Sequence, residues 1–159
     1  MSLGYDYGKD IAYQMDRPFV VSDLKSLIVL SVEFCKDNVS VYINTSPIEG
    51  SDGTSFEILE TNYANDKNKY YYVYPNLQGI LEMKKIPCNY KSCQIIDYKY
   101  AKDYQSVYYL GEKITDSDPM SFEILFNGFA KMTKRPILNG KKFLKPTLRL
   151  SVFFLKIKV

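Results

Sequence analysis

The chain has 159 residues, 46% of them apolar, 15% aromatic and 25% charged, with a net charge of +3. That length and apolar content suit one soluble domain with a real core. The charge is dispersed and leans basic only from Lys131 to Lys158, so it is read as solvated surface and no nucleic-acid partner is expected.

There are 15 Tyr and 9 Phe but no Trp and no His. Aromatic wealth favours strands, and the lack of His removes the commonest general base and the commonest transition-metal ligand. No apolar run approaches the roughly 20 residues that span a bilayer. The opening "MSLGYDYGKD" has no apolar core of a secretory signal, although a trimmed leader stays open. The three cysteines include no CxxC pair, which argues against a metal site. Cys88 and Cys93 are open to a disulfide, with free thiols the preferred reading.

In chain order, a faint first copy of a repeat occupies 5–22, where "YGKDIAYQMDRPF" gives an aromatic residue at Tyr7, then Lys9-Asp10 and a short hairpin arm. The full repeat begins with "DLKSLIVLSVEFCKD" (23–37) and returns as "DGTSFEILETNYAND" (52–66), "NYKSCQIIDYKYAKD" (89–103) and "DPMSFEILFNGFAKM" (118–132). The word "SFEIL" is thus written twice, at 55–59 and 121–125.

Each copy opens on Asp23, Asp52, Asn89 or Asp118, residue types that cap helix N-termini, and Pro119 suits a first helical position. Three residues on stand Ser26, Ser55, Ser92 and Ser121. The following pairs Leu27/Leu30, Phe56/Leu59, Cys93/Ile96 and Phe122/Leu125 have helical spacing. A capped helical turn of one to two windings is predicted at each, too short to be stable alone.

Eight residues after each serine come the aromatic anchors Phe34, Tyr63, Tyr100 and Phe129, each followed by a small residue: Cys35, Ala64, Ala101 or Ala130. A polar pair follows, Lys36-Asp37, Asn65-Asp66 or Lys102-Asp103, broken in the last copy by Lys131-Met132. Then come "VSVYINTSPI", "KYYYVYPN", "SVYYLGEKI" and "RPILNGKKF". Two strand-prone runs about a short polar stretch read as a β-hairpin. Gly111 and Gly140 sit at matching places, where positive φ or a turn back toward the next helical cap is needed. An insertion around "PNLQGILEMKK" (75–85) is placed in a loop or an extended hairpin, and the end alternates as a closing strand.

The predicted fold is therefore mainly β with short helical turns: stacked β-hairpin repeats forming one elongated domain, with units at roughly 5–22, 23–51, 52–88, 89–117 and 118–146 and a closing strand at 147–159. A closed ring is the alternative, disfavoured because each unit offers two strands. A lone hairpin is marginal in water, so neighbouring units must share one aromatic interior.

The words "YANDKNKYYY" (63–72), "YAKDYQSVYYLGEKI" (100–114) and "DPMSFEIL" (118–125) resemble the DKNYY-repeat family of bacterial proteins, most literally at Asp66, Lys67 and Asn68. The resemblance covers about 5–143. The copies at 34–48 and 129–143 depart from it, and Met132 and Pro136 make the last hairpin an expected edge. The resemblance implies export, and it supplies no activity, cofactor or catalytic residue.

No catalytic, cofactor-binding or metal residue is assigned, and no cofactor is expected. Tyr70, Tyr71, Tyr72, Tyr74, Tyr108 and Tyr109 could form a platform for sugar rings or nucleobases, but the preferred reading is cross-strand pairs, with one of Tyr108 and Tyr109 facing the core. Asp37, Asp66 and Asp103 could be imagined as a row of calcium ligands but are read as turn residues. Asp23, Asp52 and Asp118 are read as caps, Cys35 and Cys93 as packing residues, and "GKK" at 140–142 as a solvated turn. The expected function is a non-enzymatic module for a protein or cell-surface partner. The alternative is a glycan or small-molecule binder with 75–85 folded over a pocket.

If the small residues let backbones approach, Ala101→Leu overpacks that contact and lowers stability by roughly 1–3 kcal/mol in a chemical melt.

Overall fold

The computed structural model describes residues 10–59, 62–125 and 129–133, together with the backbone of 137–138 and 141–142. The closing strand expected at 147–159 lies outside the described residues, as do Tyr7, Pro136 and Gly140. The contacts divide the chain into two compact units, Met1–Lys85 and Ile86–Val159. The fold is mainly β, with short helical turns and small antiparallel sheets.

The first unit begins with a hairpin of β1 (Asp10–Gln14) and β2 (Arg17–Val21), joined by Met15 and Asp16. A meander follows: β3 (Ile28–Val29), β4 (Phe34–Lys36), β5 (Val41–Ile43) and β6 (Ser46–Pro47), hydrogen-bonded in chain order. A second meander comprises β7 (Glu57–Ile58), β8 (Tyr63–Asn65), β9 (Tyr70–Pro75) and β10 (Leu81–Ile86). The inserted segment is thus an extended hairpin. Its tip is shaped by Asn76, whose Oδ1 accepts from the amides of Gln78 and Ile80 at 2.9 and 3.1 Å.

The second unit holds a third meander of β11 (Gln94–Ile95), β12 (Tyr100–Lys102), β13 (Val107–Tyr109) and β14 (Glu112–Lys113). Two pairs follow, β15 (Glu123–Ile124) with β16 (Ala130–Lys131), and β17 (Ile137–Leu138) with β18 (Lys141–Lys142).

The predicted two strands per copy are therefore too few. The words after each anchor serine do not wind into a helix. A single 3-10 turn spans Leu24–Ser26 and another Tyr90–Ser92, after which the chain extends into β3 and β11. The reason is local. Ile28, Val29, Ile58, Ile95 and Ile124 are β-branched, and each short run finds a ready partner in the following aromatic strand, as Ile58 does opposite Ala64 and Ile95 opposite Ala101. The helical face is accordingly not formed: Phe56 is buried, whereas Leu30 and Ile96 are exposed.

Copies 66 residues apart repeat one hydrogen-bond pattern. Ser31 Oγ accepts from Glu33 and Phe34 amides, as Asp97 Oδ1 does from Lys99 and Tyr100. The Val41 amide donates to Ser51 Oγ at 3.0 Å, and the Val107 amide to Ser117 Oγ at 2.8 Å. Two-residue turns follow β5 and β13. The first holds Asn44 (φ 47°) and Thr45 (φ 71°), the second Leu110 (φ 49°) and Gly111 (φ 78°). Positive φ at both central residues matches the right-handed strand twist, so Gly111 sits where the sequence requires it.

Within each unit, neighbouring copies share an interior. Phe34, Val41 and Ile43 cluster with Phe56, Ala64, Tyr71 and Val73. The Phe56 ring lies 6.3 Å from Phe34 and 6.1 Å from Tyr71. Ala12 and Val21 cluster with Tyr42. In the second unit Tyr100 and Val107 cluster with Ala130, and Phe122 lies 5.1 Å from Tyr100. Phe34, Tyr63 and Tyr100 are buried as their column predicts, but Phe129 is 39% exposed. Ala64 and Ala101 have no accessible surface, which explains the small-residue column. Gly53 serves a similar end, because a Cβ there would lie 2.0 Å from the Asp37 carbonyl oxygen.

In three copies the anchor serine ties the cap to its hairpin. Ser26 Oγ donates to Asp23 at 2.7 Å and accepts from the Asn38 amide at 3.0 Å. Ser55 does the same with Asp52 (2.7 Å) and Lys67 (2.9 Å), and Ser121 with Asp118 (2.9 Å) and Thr133 (2.9 Å). The predicted caps hold for Asp23, Asp52 and Asp118, which accept from backbone amides. They do not hold for Asn89, which makes no such bond; its Oδ1 accepts instead from Ser92 Oγ at 3.2 Å. Ser55→Ala removes the bond from the Lys67 amide as well as that to Asp52 and is expected to lower stability by about 0.5–1.5 kcal/mol. Ser92→Ala should cost clearly less in the same urea melts.

Candidate interaction surface

The residues that offered themselves as chemistry are committed to structure. Asp37, Asp66 and Asp103 each follow an aromatic strand and open a four-residue loop, and all three are buried. One carboxylate oxygen of each closes its own loop. Asp37 Oδ1 accepts from the amides of Val39 and Ser40, Asp66 Oδ1 from Asn68 and Lys69, and Asp103 Oδ1 from Gln105 and Ser106, at 2.7–2.9 Å. The other oxygen reaches back to the cap of the same copy. The amides of Ser22 and Asp23 donate to Asp37 Oδ2, that of Asp52 to Asp66, and that of Asn89 to Asp103. The turn reading therefore holds, and it undercounts what each aspartate does.

The remaining donor is a tyrosine five residues on. The hydroxyls of Tyr42, Tyr71 and Tyr108 donate to Asp37, Asp66 and Asp103 at 2.7, 2.6 and 2.8 Å. Burial alone would raise the carboxyls of Asp37 and Asp103, but these donated bonds outweigh it and hold both below the usual carboxylate range. Burial, and then the facing carboxylate, push Tyr71 and Tyr108 up; Tyr42 is likewise raised, chiefly by burial. Sequence reasoning missed this pairing, although a signal was present. Where the last copy replaces the aspartate by Met132, the tyrosine five residues on is Ile137.

Tyr72 and Tyr109 form cross-strand pairs with the anchor tyrosines, as expected. Tyr63 stands opposite Tyr72 with ring centroids 5.2 Å apart, and Tyr100 opposite Tyr109 at 5.0 Å. Tyr108 is buried and Tyr109 half-buried, while Tyr71 and Tyr72 are both buried. Tyr74 is half-buried. Its hydroxyl donates to Glu82 at 3.0 Å, and Lys84 Nζ lies 5.3 Å from its ring centroid. Cys35 packs beside Ala12, Val21 and Tyr42. Burial and Asp37 push its thiol up, away from nucleophile character. Among the described residues no three His, Cys, Asp or Glu side chains are grouped to hold a metal ion, and no helix is long and apolar enough to cross a membrane.

What remains open is an apolar surface at the start of the first unit. Val29 is 75% exposed, Val32 71% and Tyr13 69%, with Met15 and Ile28 also exposed. Tyr13, Val29 and Val32 line a cleft of about 70 Å³ between the first hairpin and the segment running from β3 to β4, together with Phe19, Leu27 and Phe34. That volume falls well short of the ~300 Å³ at which small-molecule pockets begin. β3 lies at the end of its sheet among the described residues. The matching edge strands open with Glu57, Gln94 and Glu123, polar residues of the kind that guard an edge. In β3 that place holds Ile28.

The DKNYY family model matches residues 34–85, about a third of the chain. No curated protein and no solved structure matches the chain. Within the matched segment, Asp66 is the buried acceptor, Lys67 pairs with the cap residue Asp52 at 2.6 Å, and Asn68 gives its amide to Asp66. Of the two tyrosines that follow, Tyr71 donates to Asp66, and Tyr72 faces the aromatic anchor Tyr63.

The buried pairs set a pH window. Asp37 and Asp103 have lowered native values, so their stabilisation is present above the unfolded carboxyl range near pH 4 and is lost as pH falls through the native values. Tyr42, Tyr71 and Tyr108 have raised values, so theirs is present below about pH 10 and is lost as pH rises through the native values. Urea melts should show a plateau between these limits and a fall on both sides, and Asp103→Asn should lower the plateau and reduce the acid slope.

Proposed function

We propose that this chain, which carries a DKNYY-family segment at residues 34–85, works as a non-enzymatic interaction module that presents the apolar surface around β3 to a protein partner. The observation that supports this reading most is the exposed edge at Ile28 and Val29, beside Val32 and Tyr13. Exposed apolar groups gathered in one place, on a strand without its polar guard, suit recognition by strand addition combined with side-chain burial. The shallow cleft has room for an anchoring side chain rather than for a substrate. The buried carboxylates support the non-enzymatic part of the reading, since their oxygens are already engaged by amides and hydroxyls.

The glycan alternative called for polar groups converging from different copies around exposed tyrosine. Tyr74, Asn76 and Glu82 come from one hairpin and bond to one another, so they favour that reading less.

Ile28→Glu is the informative variant, because Glu57 and Glu123 occupy the same place in folded copies. A purified protein partner should bind the wild type saturably, and the variant at least tenfold more weakly with an unchanged circular dichroism spectrum. Equal binding by the variant, or reproducible thermal shifts of the wild type with sugars on a glycan panel, would count against the proposal.

A further inference from the structure

We propose that Cys88 and Cys93 are a dithiol pair that closes reversibly into a disulfide across the Tyr90–Ser92 turn. The argument begins with the repeat columns. The residue before each cap and the residue after each anchor serine read Ser22 and Leu27, Ser51 and Phe56, Cys88 and Cys93, Ser117 and Phe122. Three copies thus place a serine and a large apolar side chain at these two positions. One copy replaces both together, and both times by cysteine.

The two side chains are in hydrogen-bond contact with each other and both are partly exposed, so a small oxidant can reach them. The two positions also differ in their native roles. Leu27, Phe56 and Phe122 each pack against a core cluster. Cys93 is smaller than any of them, so the reduced copy fills that column least, and a covalent link would make up for the lost packing.

A small-molecule disulfide such as oxidised glutathione can supply the oxidising equivalents. The Cys88 thiolate attacks one sulfur of the reagent, forming a mixed disulfide and releasing one thiolate. Cys93 loses its proton and attacks Cys88 Sγ, forming the intrachain bond and releasing the second. Two protein thiols are oxidised and one reagent disulfide is reduced to two thiols. The roles of the two thiols are interchangeable in this sequence of steps, and the product is the same in either order. Cys35 lies in the other compact unit and serves as an internal control.

The full chain is equilibrated in glutathione buffers of graded oxidised-to-reduced ratio, quenched by alkylation and mapped by peptide mass. Cys88 and Cys93 should leave the alkylated pool together, as one peptide lighter by two hydrogens, while Cys35 stays alkylated. Closure should raise Tm by about 5 °C over the reduced chain, and excess reduced glutathione should reverse it. Three alkylated cysteines at the most oxidising ratio, a persistent glutathione adduct on Cys88 or Cys93, or a bridge containing Cys35 would overturn the proposal. The double variant Cys88→Ser/Cys93→Phe restores the pair of the other copies. It should melt at or above the reduced wild type whatever the glutathione ratio, and melting below it would refute the column argument.

Discussion

A buried carboxylate is among the costliest groups a small β-structure can hold, and each of three copies here is organised to hold one. An ionised side chain removed from water is tolerated only when its lone pairs are met by well-directed donors. Asp37, Asp66 and Asp103 are met by two loop amides, by cap amides and by a tyrosine hydroxyl. Those bonds fix the loop, dock the 3-10 or turn segment against the hairpin, and set the rotamer of the tyrosine whose ring joins the interior. The aromatic interior gives the copies their cohesion, and the carboxylate decides the geometry in which the rings meet.

The fourth full copy tests this reasoning from the other direction. Met132 and Ile137 stand where the acid and the tyrosine would be. Removing one partner of such a pair would leave a buried group unsatisfied, whereas exchanging both for apolar side chains removes the requirement altogether. The serine bond between cap and hairpin, from Thr133 to Ser121, survives the exchange. The cap and the carboxylate are therefore separable devices.

How much of this was legible in the residues depends on what carried it. Spacing alone exposed the copies, the small-residue column beside Phe34, Tyr63 and Tyr100, and a change of chain direction at Gly111, because identity and distance along the chain are what repetition preserves. Two matters were not legible. The stretch after each anchor serine has apolar residues three apart, which suits a helix; pairing with the next strand decided for a strand all the same, and pairing is a tertiary fact. The depth of the aspartates was hidden because an aspartate in a polar loop looks the same whether its carboxylate faces water or amides. Only the matched loss of acid and tyrosine in the last copy could have pointed to the buried bond. The unguarded edge at Ile28 becomes visible once β3, β7, β11 and β15 are known to be equivalent strands.

Every donor to these carboxylates comes from the aspartate's own copy or, for Ser22, from the residue beside it. No charge depends on a distant stretch of chain for its solvation. Lengthening or shortening such a protein by whole copies therefore leaves each remaining aspartate fully solvated by amides, while a break inside a copy orphans one. Genetic duplication at cap boundaries is the route of growth that this electrostatic self-sufficiency permits, and the 66-residue echo between the caps at Asp23 and Asn89 fits an ancestor that grew by a two-copy block.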